Sequence, residues 1–285
     1  EVNHNLGAIA AKVGKFEMAL SYFRTTLDAN AYILQYWNSY INTLLHLNRL
    51  TEARNALKTA TKTVDDNVEL REFEELVLIK IESSKSLNEF LNLIAGSKTK
   101  EAISFSNRIM KKFPKEASLF CVMGNVFLRH HEYNEAIKCF TKTTELNPSH
   151  WDAYNNQAIA QKSLGLFEEA MVTLDRLIDN KNYLPEAFNN KGNIFNELKQ
   201  YEEAISCFDQ AITSKPDFSV AYNNRGNSFR WLSKYEEAIA DYDRAIEIDE
   251  TYSDAQANLA TTYTLIGNYK KAIQIFNEAL RLKPG

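Results

Sequence analysis

Three cysteines, Cys121, Cys139 and Cys207, are all that this 285-residue chain carries, widely spaced and without a CxxC pair. An odd, scattered set argues against a disulfide framework and against a thiolate metal site. The thiols read as packed and free in a reducing compartment, which makes the expected location cytoplasmic. Positive charge is not in excess either: 33 Lys and Arg stand against 37 Asp and Glu, for a net charge of −4. Nucleic acid and acidic membrane surfaces both call for clustered Lys and Arg, so neither is an expected partner. No apolar run approaches the roughly 20 residues that cross a bilayer, so membrane insertion is not expected. No charged segment followed by an apolar one opens the chain as a secretion signal does. Motifs of chemistry are missing too. There is no Gly-rich phosphate loop, no HExxH and no GxSxG, and no strand–turn–helix context to host one, so neither an enzyme nor a cofactor is expected.

What is present is apolar and periodic. Hydrophobic residues make up 45% and aromatics 12%, enough to fold the chain from end to end. Alanines 136, 170, 204, 238 and 272 are each 34 residues apart, as are Ala19 and Ala53, and prolines 114, 148, 216 and 284 lie on the same lattice. Around the alanines the segments YNEAIKCF (133–140), FEEAMVTL (167–174), YEEAISCF (201–208), YEEAIADY (235–242) and YKKAIQIF (269–276) repeat, with FEMALSYF (16–23) at the front. Within each unit apolar residues recur at i, i+3, i+4 and i+7 in two blocks, separated by a short polar or Gly-containing link such as Gly165-Leu166. Each unit is therefore predicted to be a helix hairpin. Small residues at Gly7, Gly124, Ala158, Gly192, Gly226 and Ala260 let the two helices approach closely, and Phe140, Phe208, Tyr242 and Phe276 fill the space beside them. Proline after the second helix removes an N–H and turns the chain into the next unit.

These residues resemble the tetratricopeptide repeat, with an early aromatic, a small residue at the eighth place, Ala at the twentieth, an aromatic at the twenty-fourth and Pro at the thirty-second. In that register the repeats run 1–33 (lacking its first residue), 34–67, 83–116, 117–150, 151–184, 185–218, 219–252 and 253–285. The resemblance implies an all-α fold, a right-handed superhelical solenoid. Its expected domains are two repeats in 1–67, an irregular helical segment with one degenerate repeat in 68–116, and five consecutive repeats in 117–285. Residues 68–82 are a 15-residue insertion with helical period, read as an additional helix, giving three helices in 68–116. The unit after it keeps Ala102 and Pro114 but has Phe90 at the small place and Thr99 and Ser106 where aromatics belong.

Acidic pairs Glu168-Glu169, Glu202-Glu203 and Glu236-Glu237 open the second helices and complement the helix dipole rather than forming acid/base pairs. His130-His131-Glu132 falls at the tip of a hairpin with no further ligand nearby, so no metal site is assigned to it.

The asparagines are the candidate functional residues. FNNKGN (188–193) returns 34 residues later as YNNRGN (222–227), although Asn is a mediocre helix former. In a stack of hairpins the first helices line the inner wall, with their second, fifth, ninth and twelfth places on it and the sixth on its flank. The candidate partner-binding set on that wall is Asn125, Asn155, Lys162, Asn189, Asn193, Asn223, Asn227 and Arg230. Each carboxamide offers one acceptor and two donors, matching an extended peptide backbone. Lys162 and Arg230 are expected to read acidic side chains, with Trp231 adding an apolar contact. The sixth-place series Asn156, Asn190, Asn224 and Asn258 resembles the asparagine ladder along the inner superhelix of O-GlcNAc transferase, which implies sequence-tolerant peptide holding; the other reading is that these residues hold the register of adjacent repeats.

The expected function is a non-catalytic protein–protein interaction scaffold that binds an extended peptide or a helix of a partner in its concave groove. Two alternatives stand beside it. One is the substrate-recognition region of a larger enzyme such as a glycosyltransferase, since the chain begins with Glu1 rather than Met and stops at Lys283-Pro284-Gly285, as an excised piece or processed form does. The other is self-association through uncapped terminal helices, with Ile275 and Leu280 pointing outward.

Overall fold

The computed structural model describes residues 1–64, 68–180 and 184–282, and among them there are 16 helices and no strand. The chain divides into two compact units, Glu1–Leu119 and Phe120–Gly285. The first holds α1 (Val2–Lys12), α2 (Phe16–Ala29), α3 (Leu34–His46), α4 (Leu50–Thr63), α5 (Val68–Ala95) and α6 (Thr99–Lys112), and α7 (Ala117–Arg129) spans the division. The second continues with α8 (Tyr133–Leu146), α9 (Trp151–Ser163), α10 (Phe167–Asp179), α11 (Leu184–Glu197), α12 (Tyr201–Ser214), α13 (Ser219–Trp231), α14 (Tyr235–Ile248), α15 (Ser253–Leu265) and α16 (Tyr269–Leu282).

The hairpins owe their common shape to one backbone position. Gly14, Asn48, Ser97, His131, Gly165, Lys199, Ser233 and Gly267 all have φ between 55° and 80°. A left-handed residue there lets the following amide turn back onto the helix just ended: Leu166 N donates to Gln161 O at 3.0 Å, Gln200 N to Phe195 O at 2.8 Å and Lys234 N to Phe229 O at 2.9 Å. His131 is thus a turn residue, and its Nδ1 lies 2.8 Å from the Tyr133 hydroxyl.

The same position measures the insertion. Successive left-handed residues are 34 apart except Asn48 and Ser97, which are 49 apart, that is 34 plus 15. The sequence predicted a helix of their own for the extra residues, and they form none. They are fused to the first helix of the degenerate repeat in α5, a single helix of 28 residues, so two helices rather than three occupy 68–112. No Gly, Pro or left-handed residue falls between 68 and 95 to break it.

Within a hairpin the two helices touch where one has no side chain. A Cβ built on Gly124 would lie 2.7 Å from Phe140, on Gly192 2.6 Å from Phe208, and on Gly226 2.8 Å from Tyr242. The three rings are fully buried. In the repeat between them the small residue is Ala158 and its partner shrinks to Leu174, both buried in one cluster. At the last hairpin Ile275 packs against the cluster of Ala238, Tyr242, Leu259, Tyr263 and Ala272, against the expectation that it points outward, and among the described side chains of α16 the exposed large apolar ones are Tyr269, Ile273 and Phe276. The side chain of Leu280 lies outside the described residues. No described helix is long and apolar enough to cross a membrane.

Candidate functional site

In the second unit α9, α11, α13 and α15 touch one another in series, besides packing on the helices before and after them. The first helices therefore form a continuous face, and the asparagines lie along it in two linked rows. Asn190 Nδ2 donates to Asn155 Oδ1 at 2.8 Å, Asn224 Nδ2 to Asn189 Oδ1 at 3.0 Å, and Asn258 Nδ2 to Asn223 Oδ1 at 3.0 Å. Each bond joins the sixth place of one repeat to the fifth place of the repeat before. Cys121 occupies the fifth place in the first of these repeats, and there Asn156 Nδ2 donates to Asn125 Oδ1 at 2.8 Å. Within repeats the chain of amides continues from Asn155 to Asn156 at 3.5 Å and from Asn223 to Asn224 at 3.3 Å.

This geometry corrects part of the sequence reading. Asn189 and Asn223, expected to face the open groove, are 6% and 4% exposed, because the sixth-place side chain of the next helix lies across them. Asn125 and Asn155 are half-buried and accept the same kind of bond. What these eight carboxamides do together is satisfy one another between repeats, where each buried amide left unpaired would cost about 1–3 kcal/mol. Lys162, expected to read a ligand's acid, pairs with Glu197 at 3.2 Å. The remaining candidates are Asn193, Asn227 and Arg230. Asn193 is half-buried and makes no side-chain hydrogen bond among the described residues. Asn227 Oδ1 accepts from the Tyr242 hydroxyl at 2.8 Å and from Arg230 at 3.4 Å. Burial pushes the Tyr242 phenol up to about 12, with Arg230 pulling it back, so it keeps its proton and acts as the donor.

Two polar features escaped the sequence reading. His4 and Ser39 hold the fifth and sixth places at the first interface of the first unit, 2.9 Å apart, the same seam in different residues. Burial holds the His4 imidazole below its usual range. The second feature runs along the seventh places. Gln157 donates to Thr141 at 3.2 Å, Lys191 to Asp175 at 2.6 Å, and Arg225 to Asp209, each 16 residues back, and Arg225 also binds Asp241 through two nitrogens at 2.7 and 2.8 Å. Burial opposes the Arg225 charge, but its bonds to Asp241 and Asp209 outweigh this and hold its pKa above the usual value. The signal was in the sequence: Thr, Asp, Asp at 141, 175 and 209 against Gln, Lys, Arg at 157, 191 and 225. Among the described residues no group of three or more His, Cys, Asp and Glu side chains is placed to hold a metal ion.

Three family models, each described as tetratricopeptide repeat, match residues 4–67 and 121–185, 185–218, and 217–284. Protein bimA of Emericella nidulans is 37% identical over 43 residues, 15% of this chain and 5% of that protein. Superkiller complex protein 3 of Homo sapiens is 25% identical over 139 residues, 45% of this chain and 9% of that protein. The matched stretches thus span less than a tenth of either relative. Among solved structures, that of PilW, titled a widely conserved type IV pilus biogenesis factor, superposes with a TM-score of 0.57 at 16% identity, over 71% of this chain and 94% of that one. That likeness is one of fold.

Proposed function

The chain belongs to the tetratricopeptide-repeat family and is a protein-interaction repeat scaffold, and we propose that its second unit binds an extended segment or a helix of a partner protein along the inner face of α9, α11, α13 and α15. The reading is of a non-catalytic scaffold. The observation that carries it is the hydrogen-bonding capacity left over on that face. Asn193 makes no bond within the described residues, Asn227 offers only its amide donors because Tyr242 takes its oxygen, and the buried Nε of Arg230 has no acceptor. Carboxamide donors and acceptors in a row match the repeating C=O and N–H of a peptide, with little demand on its side chains. Elsewhere on the face the amides bond one another, so they shape the wall and leave recognition to the ninth and twelfth places.

The test is selection of binders from a random-peptide display library against the full chain, followed by binding to an Asn193→Arg variant. Loss of binding with an unchanged melting temperature is the expected result. Peptides that bind the variant as well as the parent chain would place recognition elsewhere.

A further inference from the structure

Resting on the inner-face reading, we infer that Arg230, Asn227 and the Tyr201–Trp231 pair form a single anchor, and that it selects an acidic residue beside an apolar one in the bound segment. The other cations of α9, α11 and α13 show why Arg230 differs. Lys162 has Glu197, Lys191 has Asp175, and Arg225 has both Asp209 and Asp241. Arg230 has no carboxylate within 4.0 Å among the described residues. The residue 35 on from Lys162 is Glu197, and the residue 35 on from Arg230 is Leu265, so the partner that the lattice supplies for the first cation is absent for the second.

The groups around Arg230 are donors in want of an acceptor. Its Nε is buried without a partner, and its Nη2 reaches, at 3.4 Å, an oxygen already taken by Tyr242. The phenol takes the Asn227 oxygen, so what Asn227 has left to offer is its Nδ2 hydrogens, donors like the guanidinium. A carboxylate brings two oxygens with several lone pairs and no donor, and a guanidinium beside an amide N–H is the arrangement that binds it with charge-assisted bonds. A backbone carbonyl would satisfy one donor and leave the charge unpaired.

The apolar half of the anchor is the next residue along. Trp231 is 65% exposed yet held flat against Tyr201, with ring centroids 6.0 Å apart and planes 7° from parallel. A stacked Trp loses little freedom on binding and presents a rigid apolar surface. Trp, Tyr and Arg are also the side chains that most often carry the energy of an interface.

The test uses peptides selected by display against the full chain, resynthesised with free and with amidated C-termini. The expected peptides carry Asp or Glu next to an aliphatic or aromatic residue and bind equally with either terminus. Arg230→Gln weakens them about tenfold, and replacing the peptide's acid by its amide weakens binding to the parent chain about tenfold as well. The two changes together do little more than either alone, which is the mark of a direct pair. Trp231→Ala weakens binding at an unchanged melting temperature. Should Arg230→Gln lower that temperature, the acid-to-amide peptide reads the pairing on the intact protein. Affinity that depends on a free C-terminus, or is indifferent to Arg230→Gln while still blocked by Asn193→Arg, overturns the anchor and leaves the inner-face reading standing. Binding indifferent to Asn193→Arg, or no selected peptide at all, overturns both.

Discussion

Asn224 donates its side-chain amide to the carboxamide oxygen of Asn189 across 3.0 Å, from one repeat to the one before. Asn223 receives Asn258 in the same way. Asn189→Ala or Asn223→Ala therefore leaves a donor without its acceptor between helices, and each is expected to lower unfolding stability by about 1–3 kcal/mol. Asn193→Ala, which breaks no such bond, is expected to stay within about 0.5 kcal/mol of the parent. Urea melts of the three variants check this, and equal stabilities would mean that the amide seam contributes nothing.

Gly192 sits where a Cβ would lie 2.6 Å from the Phe208 ring, and that ring is fully buried. Gly192→Ala is expected to cost about 1–3 kcal/mol by overpacking. The repeat of Ala158 and Leu174 shows the compensating pair already in use. Adding Phe208→Leu to Gly192→Ala should thus recover part of the loss, a coupling that a double-mutant cycle of melts measures directly.

Arg225 is the cation that makes a buried Asp241 tolerable, since the Asp241 side chain is only 7% exposed. Arg225→Met is expected to cost about 3–5 kcal/mol at neutral pH by stranding that carboxylate, and Asp241→Leu added to it to restore much of the stability. The sign with pH follows from burial, which pushes the Asp241 carboxyl above its ordinary 3.8 while Arg225 pulls it back. Without Arg225 the folded-state pKa lies higher still above the unfolded one. The stability linked to this group is then fully present below 3.8 and lost as pH rises through the folded value. The deficit of Arg225→Met should accordingly shrink as the solution is acidified, as read from melts across the acidic range.

The cysteines should be poor nucleophiles. Burial pushes the Cys139 thiol up to about 12 and the Cys207 thiol up to about 11, and raises Cys121 as well, from an ordinary 9.0. The thiolate is the reactive form, and each unit of increase leaves about tenfold less of it near neutral pH. Iodoacetamide at pH 8 is expected to label the native chain slowly, Cys139 last, and all three residues promptly in urea. Mass spectrometry of the labelled peptides checks the order.

The hairpins were legible because their determinants are local and repeat: small residue, aromatic, proline and the 34-residue step. The end of the inserted helix was not, since residues 68–95 read as helix throughout and nothing in the chain marks where an extra helix would stop and the next begin. For the asparagines the face was legible and the use was not. A fifth-place Asn looks groove-facing from helical period alone, but whether it is open depends on the sixth-place residue 35 positions later, which crosses over it. Arg230 and Lys162 are alike in sequence, at the same place in their repeats. What decides their pairing stands 35 residues on, Glu197 for Lys162 and Leu265 for Arg230.

The direction of the amide seam has a consequence for how the array can be edited. Repeats 185–218 and 219–252 each give an acceptor forward and a donor backward, so either can follow the other without breaking a bond. Asn125 begins the seam, and at Ala257, which has no amide at the fifth place, it ends. A copy of 185–218 spliced in after 218 would be accepted on both sides, whereas a copy of 253–285 spliced in there would offer its successor a methyl group. The central repeats are interchangeable links and the outer two are terminators, a grammar that limits where such an array can be lengthened.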